Sequence, residues 1–240
     1  MKRMLSASMV AIALFGILGG AVACRHKRAD MAPDAAPMAD EKSAVCLVDG
    51  LGLRNAVGKS AKYVASLALG ETVKLVGDPE KDESGKDWQK IELSDGKSGY
   101  VSAAGLVANA QIGAVKDDAT SYKRPDLLTA SAQKVPFMTI VAVTQQKDSW
   151  LQVVGEGKRS LGWLRKDVVS LDKEDVTAAI LATKKLRDKN DGLDPAKKVE
   201  AIVAAAPNPN GYFIQKLKER SASAPAVPPQ GEMAQGEMAQ

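Results

Sequence analysis

The sequence predicts a mainly β protein: two small β-barrels in tandem, then a short α-helical region, with disordered segments at both termini. Three observations predict it. The stretch DWQKIELSDGKSGYV at 87–101 is echoed by SWLQVVGEGKRSLGWL at 149–164, and a repeat of roughly sixty residues suits two small domains better than one large sheet. Within each copy, short runs rich in Val, Ile, Leu and Thr are punctuated by Gly, Asp and Asn, the grammar of strands and tight turns. From Asp172 onward, apolar residues recur at helical spacing between aspartate caps and Gly or Pro stops.

Residues 1–23 read as a secretory leader, with Lys2 and Arg3 at its basic start, a long uncharged apolar stretch, and small residues before Cys24. The stretch is close to the roughly twenty apolar residues that a membrane span needs. A membrane helix, or an ordinary leader with a coincidental cysteine, therefore compete with that reading. Ala21-Val22-Ala23-Cys24 resembles a bacterial lipobox, which implies cleavage before Cys24 and lipidation of its thiol, a palmitate-bearing lipoprotein anchored to a membrane. Residues 24–43 are rich in Ala, Pro and charge, cannot build a core, and read as a flexible tether. Arg25, Lys27 and Arg28 would either meet anionic head groups beside the anchor or be merely solvated. In enteric-type bacteria an Asp after the lipidated cysteine goes with inner-membrane retention, so Arg25 at that place tilts the expected location toward the outer membrane.

The chain carries 33 basic and 29 acidic side chains, a formal net charge of +4, which falls to +2 when Lys2 and Arg3 leave with the leader. That balance is no nucleic-acid footprint, and no nucleic-acid partner is expected. With Cys24 lipidated, the other cysteine, Cys46, has no disulfide partner. Its setting in AVCLV makes it a buried strand residue.

The first barrel is expected over 44–108 and the second over 109–171, as separate folding units. Thr72-Val73 lines up with Thr139-Ile140, Trp88 with Trp150, and Tyr100 with Trp163. The longer polar excursion DPEKDESGKD at 78–87 absorbs the drift between copies, since loops take insertions at little cost. Each second hairpin has a glycine-bearing turn, Asp95-Gly96 in one and Gly155-Glu156-Gly157 in the other.

The helical region is expected over 172–220. Asp172 caps a helix whose face carries Val176, Ala179, Ile180, Thr183 and Leu186, and Gly192 follows its end. Asp194 caps the next, with Pro195 in its first turn, Val199, Ile202 and Val203 as its stripe, and Pro207 as its stop. YFIQKLKER at 212–220 makes a third. Short helices are marginal alone, so the stripes read as packing surface, against the second barrel or in a bundle of their own, rather than as a partner's groove. Residues 221–240, with SASAPAVPPQ and a doubled GEMAQ, read as a disordered tail.

The segments LGLRNAVG (51–58), LALGETVKLVG (67–77) and DWQKIELSDGKSGYVSAAGLV (87–107), and in the second copy ATSYKRPD (119–126) and GWLRKDVVSL (162–171), resemble bacterial SH3-like (SH3b) domains. These are small five-stranded barrels often found in tandem in exported bacterial proteins. The resemblance spans about residues 44–171. It implies that the tryptophan opening the third strand and the aromatic of the Gly-aromatic-aliphatic motif line a ligand groove: Trp88 with Tyr100, and Trp150 with Trp163. Aromatics on a sheet face give flat, low-entropy contact area. The same side chains could instead cover the barrel's small core. Polyproline-binding relatives add a proline and a tyrosine where this chain has Ser102 and Gly105, then Arg165 and Val168. A polyproline ligand is therefore not implied, and the PxxP at Pro225–Pro228 is expected to stay solvated. Bacterial relatives point instead to cell-wall peptide, polysaccharide or protein.

Catalysis is not expected. The single histidine, His26, sits in the tether where nothing would orient it, and neither a Cys–His pair nor a zinc ligand set can be assembled. Cys46 belongs to a strand, far from a helix start that could activate it. The acids fall in turns, loops and helix faces, which does not favour a glycosidase pair, and no phosphate-binding glycine loop occurs. No cofactor and no metal site is expected. The sequence thus points to a non-catalytic, lipid-anchored binding protein of the bacterial cell envelope that holds peptidoglycan or an envelope protein. The alternative is a structural or assembly factor whose helical region recruits a partner protein.

Overall fold

A computed structural model describes residues 36–37 and 42–223. The leader, Cys24, most of the tether and residues 224–240 lie outside the described residues. The fold is mainly β, with two sheets followed by three helices. A short strand β1 (Ala36–Pro37) lies antiparallel along the second sheet, with Ala36 opposite Gln146.

The first barrel runs β2 (Ser43–Cys46), β3 (Leu51–Arg54), β4 (Tyr63–Leu67), β5 (Thr72–Leu75), β6 (Glu80–Lys81), β7 (Asp87–Glu92), β8 (Ser98–Ser102) and, after one 3-10 turn, β9 (Leu106–Ala108). The second runs β10 (Gln111–Val115), β11 (Ala119–Tyr122), β12 (Ala130–Val135), β13 (Ile140–Lys147), β14 (Trp150–Gly155), β15 (Arg159–Arg165) and, after another 3-10 turn, β16 (Val169–Ser170). In space the strands follow β4-β3-β8-β7-β5-β2-β9 and β12-β11-β15-β14-β13-β10-β16. With β1 and β6 set aside, this is one seven-strand topology written twice.

One detail explains why the repeated phrase needs its glycine. Where β3 meets β8 and β11 meets β15, the chains approach so closely that a side chain cannot fit. A Cβ at Gly99 would overlap the Arg54 carbonyl oxygen, and one at Gly162 would lie 2.5 Å from that of Tyr122. Gly162 also holds φ +82, a conformation glycine adopts without steric cost.

The register corrects one alignment made from the sequence. Ala44 pairs with Val73 in the first barrel, and Gly113 with Val141 in the second. The counterpart of Val73 is therefore Val141, and Ile140 matches Thr72. A slip of one residue reverses the face of a strand, and the packing obeys it: Val73 and Val141 lie inside their barrels, whereas Ile140 points out of the second.

Those outward faces form a third core. Successive strand residues point to opposite sides of a sheet, so on β2 Ala44 and Cys46 fill the first barrel while Val45 and the following Leu47 point away. On β13, Val141 and Val143 fill the second barrel while Ile140 and Ala142 point away. Val45, Leu47 and Val107 join Ala114, Ile140 and Ala142 in one cluster, closed by Val176, Ala179, Ala182, Ile202, Phe213, Ile214 and Leu217 from the helices. Each barrel keeps a core of its own, and the two share this third one.

Three helices seat on that seam: α1 (Lys173–Arg187), α2 (Pro195–Ala205) and α3 (Tyr212–Ser223). Asp172 accepts from the Glu174 and Asp175 N–H groups, and Asp194 from that of Lys197, each offsetting unpaired donors of a first turn. Helix α1 reaches the first barrel, where Lys184 pairs with Asp49 at 2.9 Å and Ile180 covers Gly70. Helix α3 grips the second: Phe213 stacks on Phe137 at 5.7 Å, and Arg220 pairs with Asp117 at 2.9 Å while lying over the Phe137 ring. It continues through Ser223, past the end at 220 expected from the sequence. Leu186, placed on the apolar stripe from spacing, is exposed, and Ala182 is buried instead.

Candidate binding site

In the β7–β8 hairpin Trp88 lies opposite Ser102 and Lys90 opposite Tyr100. Ile91 and Val101 fill the barrel, so the alternate residues Trp88, Lys90, Tyr100 and Ser102 share its outer face. Trp88 is only 4 % exposed although it points outward, because the β5–β7 connection folds across it. Tyr100 beside it is half-buried.

Asp82 organises that covering loop. Its Oδ2 accepts from Trp88 Nε1 at 2.9 Å, and its Oδ1 from the Ser84 hydroxyl at 2.6 Å, the Ser84 N–H at 2.8 Å and the Lys86 N–H at 3.0 Å. These donors, the Ser84 hydroxyl first and the indole second, hold the Asp82 carboxyl far below its ordinary range because they favour the anion. Tyr100 donates its hydroxyl to Glu80 Oε1 at 2.9 Å, which pushes the phenol up. Opposite the loop, Arg54 Nη1 donates to the Ala61 carbonyl at 2.6 Å and fastens the β3–β4 hairpin. Between the two loops lies a cavity of about 470 Å³, lined by Val57, Gly58, Lys59 and Ser60 on one side and Lys81, Asp82, Glu83 and Ser84 on the other. Its rim carries both signs of charge. It can hold a polar ligand bearing an ammonium and a carboxylate, with Trp88 fixed behind Asp82 as support.

The second barrel arranges the same positions differently. Trp150 lies opposite Arg165, and Trp163 opposite both Gln152 and Tyr122. Trp150 is 7 % exposed, with Tyr122 edge-on at 4.8 Å and the Arg165 guanidinium 5.7 Å from its ring centre. No loop covers it, because β13 and β14 are joined by Asp148 and Ser149 alone. Trp163 is half-buried. The four aromatics expected at the ligand face thus fall into two pairs, each with one buried tryptophan and one half-buried ring.

Spacing did not single out Asp82, Glu80, Arg54 or Tyr122. The signal for Asp82 was present in Asp82-Glu83-Ser84-Gly85, an Asx-turn sequence just before a tryptophan. Tyr122 is recognisable only by its pairing with Trp163 across β11 and β15. Cys24 lies outside the described residues. Cys46 is buried, and burial pushes its thiol up. Among the described residues no three His, Cys, Asp or Glu side chains gather as a metal-holding group.

Residues 49–107 match the family model of the bacterial SH3 domain. The matched stretch holds both loops that line the cavity, and with them Trp88 and Tyr100. No curated protein matches the chain. Solved structures similar to it include NlpC2 from Trichomonas vaginalis, at 15% identity over 60% of this chain and 56% of that one, with a TM-score of 0.25. Another is a putative autolysin from Listeria monocytogenes, at 15% identity over 55% of this chain and 63% of that one, with a TM-score of 0.24. The chain thus spans less than two thirds of either structure.

Proposed function

We propose that this chain is a non-catalytic, lipid-anchored binding protein of the bacterial cell envelope, which holds a cell-wall peptide or an envelope protein in the groove of its SH3 domain. One observation carries the reading: the stretch matching the bacterial SH3 domain holds a cavity with lysines and acids on facing loops, braced by the Trp88–Asp82 hydrogen bond. Peptidoglycan stem peptides carry both amines and carboxylates, the complement of such a rim. The second barrel acts as a further SH3-like module that supports the first. Cys24 carries the lipid, and the outer membrane is its site.

In the assembly-factor alternative the helical region recruits a partner protein. Val176, Ala179, Ile202, Phe213 and Leu217 are occupied in the shared core, which favours the groove over the helices. Co-sedimentation with purified cell-wall sacculi tests the proposal. Tyr100→Ala and Lys59→Ala with Glu83→Ala should each weaken binding about tenfold or more at unchanged melting temperature. Trp88→Ala is the poorer probe because Trp88 is buried. Undiminished binding by the groove variants would sink the reading. For the anchor, palmitate labelling should be lost in Cys24→Ser and kept in the wild type.

A further inference from the structure

The β11–β12 hairpin of the second barrel ends in a tip that the groove does not use. Leu128 is 93% exposed and Leu127 60%, the two most exposed large apolar side chains among the described residues. They are not loose. Leu128 N–H donates to Asp126 Oδ1 at 3.0 Å, Lys123 N–H to the Thr129 carbonyl at 3.0 Å, and Thr129 Oγ1 donates to the Arg124 carbonyl at 3.0 Å while accepting from the Arg124 N–H at 3.1 Å. These bonds brace a turn that leaves both leucines in water, at a standing cost in apolar hydration. Lys123 and Arg124 flank them, both exposed, and neither pairs with a carboxylate among the described residues. The one acid of the turn, Asp126, has its carboxylate engaged at the Leu128 N–H.

We propose that this tip is a docking element for an anionic lipid surface, in which Leu127 and Leu128 enter the interface and Lys123 and Arg124 meet the lipid phosphates. Three features favour lipid over a protein partner. Both leucines stand in solvent, Leu128 almost wholly, whereas a protein site needs a shaped, desolvated contact. Apolar side chains beside exposed cations are the pattern of interfacial membrane binding. The charges carry the sign that anionic head groups attract. The corresponding hairpin of the first barrel is committed elsewhere: Arg54 ties it down and its residues 57–60 line the groove. The two hairpins thus divide ligand and membrane between them, whether or not Cys24 carries lipid.

The full chain carrying Cys24→Ser and Ala130→Cys has one accessible thiol, beside the tip, because Cys46 is buried. It is labelled there with a polarity-sensitive fluorophore and mixed with vesicles of phosphatidylglycerol and phosphatidylcholine in equal parts. The expected result is a blue shift, with quenching by nitroxide-bearing lipids, while the same label at Ser94→Cys, in the exposed β7–β8 turn of the first barrel, stays water-like. Leu127→Ser with Leu128→Ser should weaken the vesicle-dependent change at least about tenfold. Phosphatidylcholine alone, or Lys123→Ala with Arg124→Ala, should weaken it by a smaller factor. The proposal is overturned by a probe that stays water-like on anionic vesicles, by serine variants that behave as the parent, or by equal insertion of the label at Ser94→Cys. A probe that responds to wall fragments or an added envelope protein but not to vesicles overturns it as well.

Discussion

The two barrels share seven strands in the same order and differ most in what lies between them. In the first, residues 76–86 connect β5 to β7, and Asp82 draws that loop over Trp88. In the second, Asp148 and Ser149 suffice, and Asp148 turns the chain with φ +51. Trp150 then packs against Tyr122 and Arg165 in place of a loop. The long connection gives the first barrel one wall of its charged groove, a wall that the two-residue turn of the second cannot supply. The strand order and the close approach at Gly99 and Gly162 set the shape of both, while the length and the residues of the loops set the chemistry of each surface. That division is physical: a loop can lengthen at small entropic cost, but a residue at a ladder's contact point has no room to change.

The sharpest test of whether the barrels are two units or one is Phe213→Ala. Phe213 is fully buried where both barrels meet the helices. Truncating a buried phenylalanine costs about 3–5 kcal/mol, and that loss should fall on both barrels through one cooperative calorimetric transition. Two resolved transitions, with the first barrel unaffected, would restore the picture of independent domains.

The glycines test the opposite half of the comparison, what the barrels have in common. Gly162→Ala combines a clash with the Tyr122 carbonyl and a positive φ, and should cost about 2–3 kcal/mol in denaturant unfolding. Gly99→Ala meets the Arg54 carbonyl without the positive φ and should cost somewhat less. A neutral result at both sites would mean that the repeated motif is not kept by the close approach of strands.

The sequence carried the strands, the repeat and both aspartate caps because each depends on residues near in the chain: alternation, turn glycines, and an Asp before a first helical turn. It carried the second register poorly. Ile140-Val141-Ala142-Val143 is apolar on both faces, so alternation cannot say which residue points inward, and matching Thr139 to Thr72 shifted the strand by one. The same ambiguity was a clue. A strand apolar on both faces has neighbours on both, and AVCLV in the first barrel and IVAV in the second are the two halves of the shared core. Cys46 corresponds in register to Val115, and both are fully buried, so the thiol serves there as a small apolar side chain. The groove was harder to see, since Asp82 acts through a turn that brings its carboxylate to a tryptophan six residues on.

The smallest effect, and the most local, separates the two outward tryptophans. Trp88 donates its indole N–H to Asp82, whereas among the described residues Trp150 has no such carboxylate partner. The Asp82 carboxyl has an ordinary value of 3.8 and is held well below it in the fold, by the Ser84 hydroxyl first and the Trp88 indole next. A lowered folded-state value means that the carboxylate's contribution to stability is complete above about 3.8. It declines as the pH falls further, through the folded value, because protonation then removes the anion that the donors favour. In an acid titration followed by NMR, the Trp88 indole proton should keep its position down to 3.8 and move only below it. The Trp150 indole proton should not follow that step. In Asp82→Asn the Trp88 step should vanish, which assigns it to this carboxyl and to no other acid. A Trp88 signal that titrates at or above 3.8, or that survives unaltered in Asp82→Asn, would break the contrast, leaving the first barrel's loop without the bond that distinguishes it from the second's short turn.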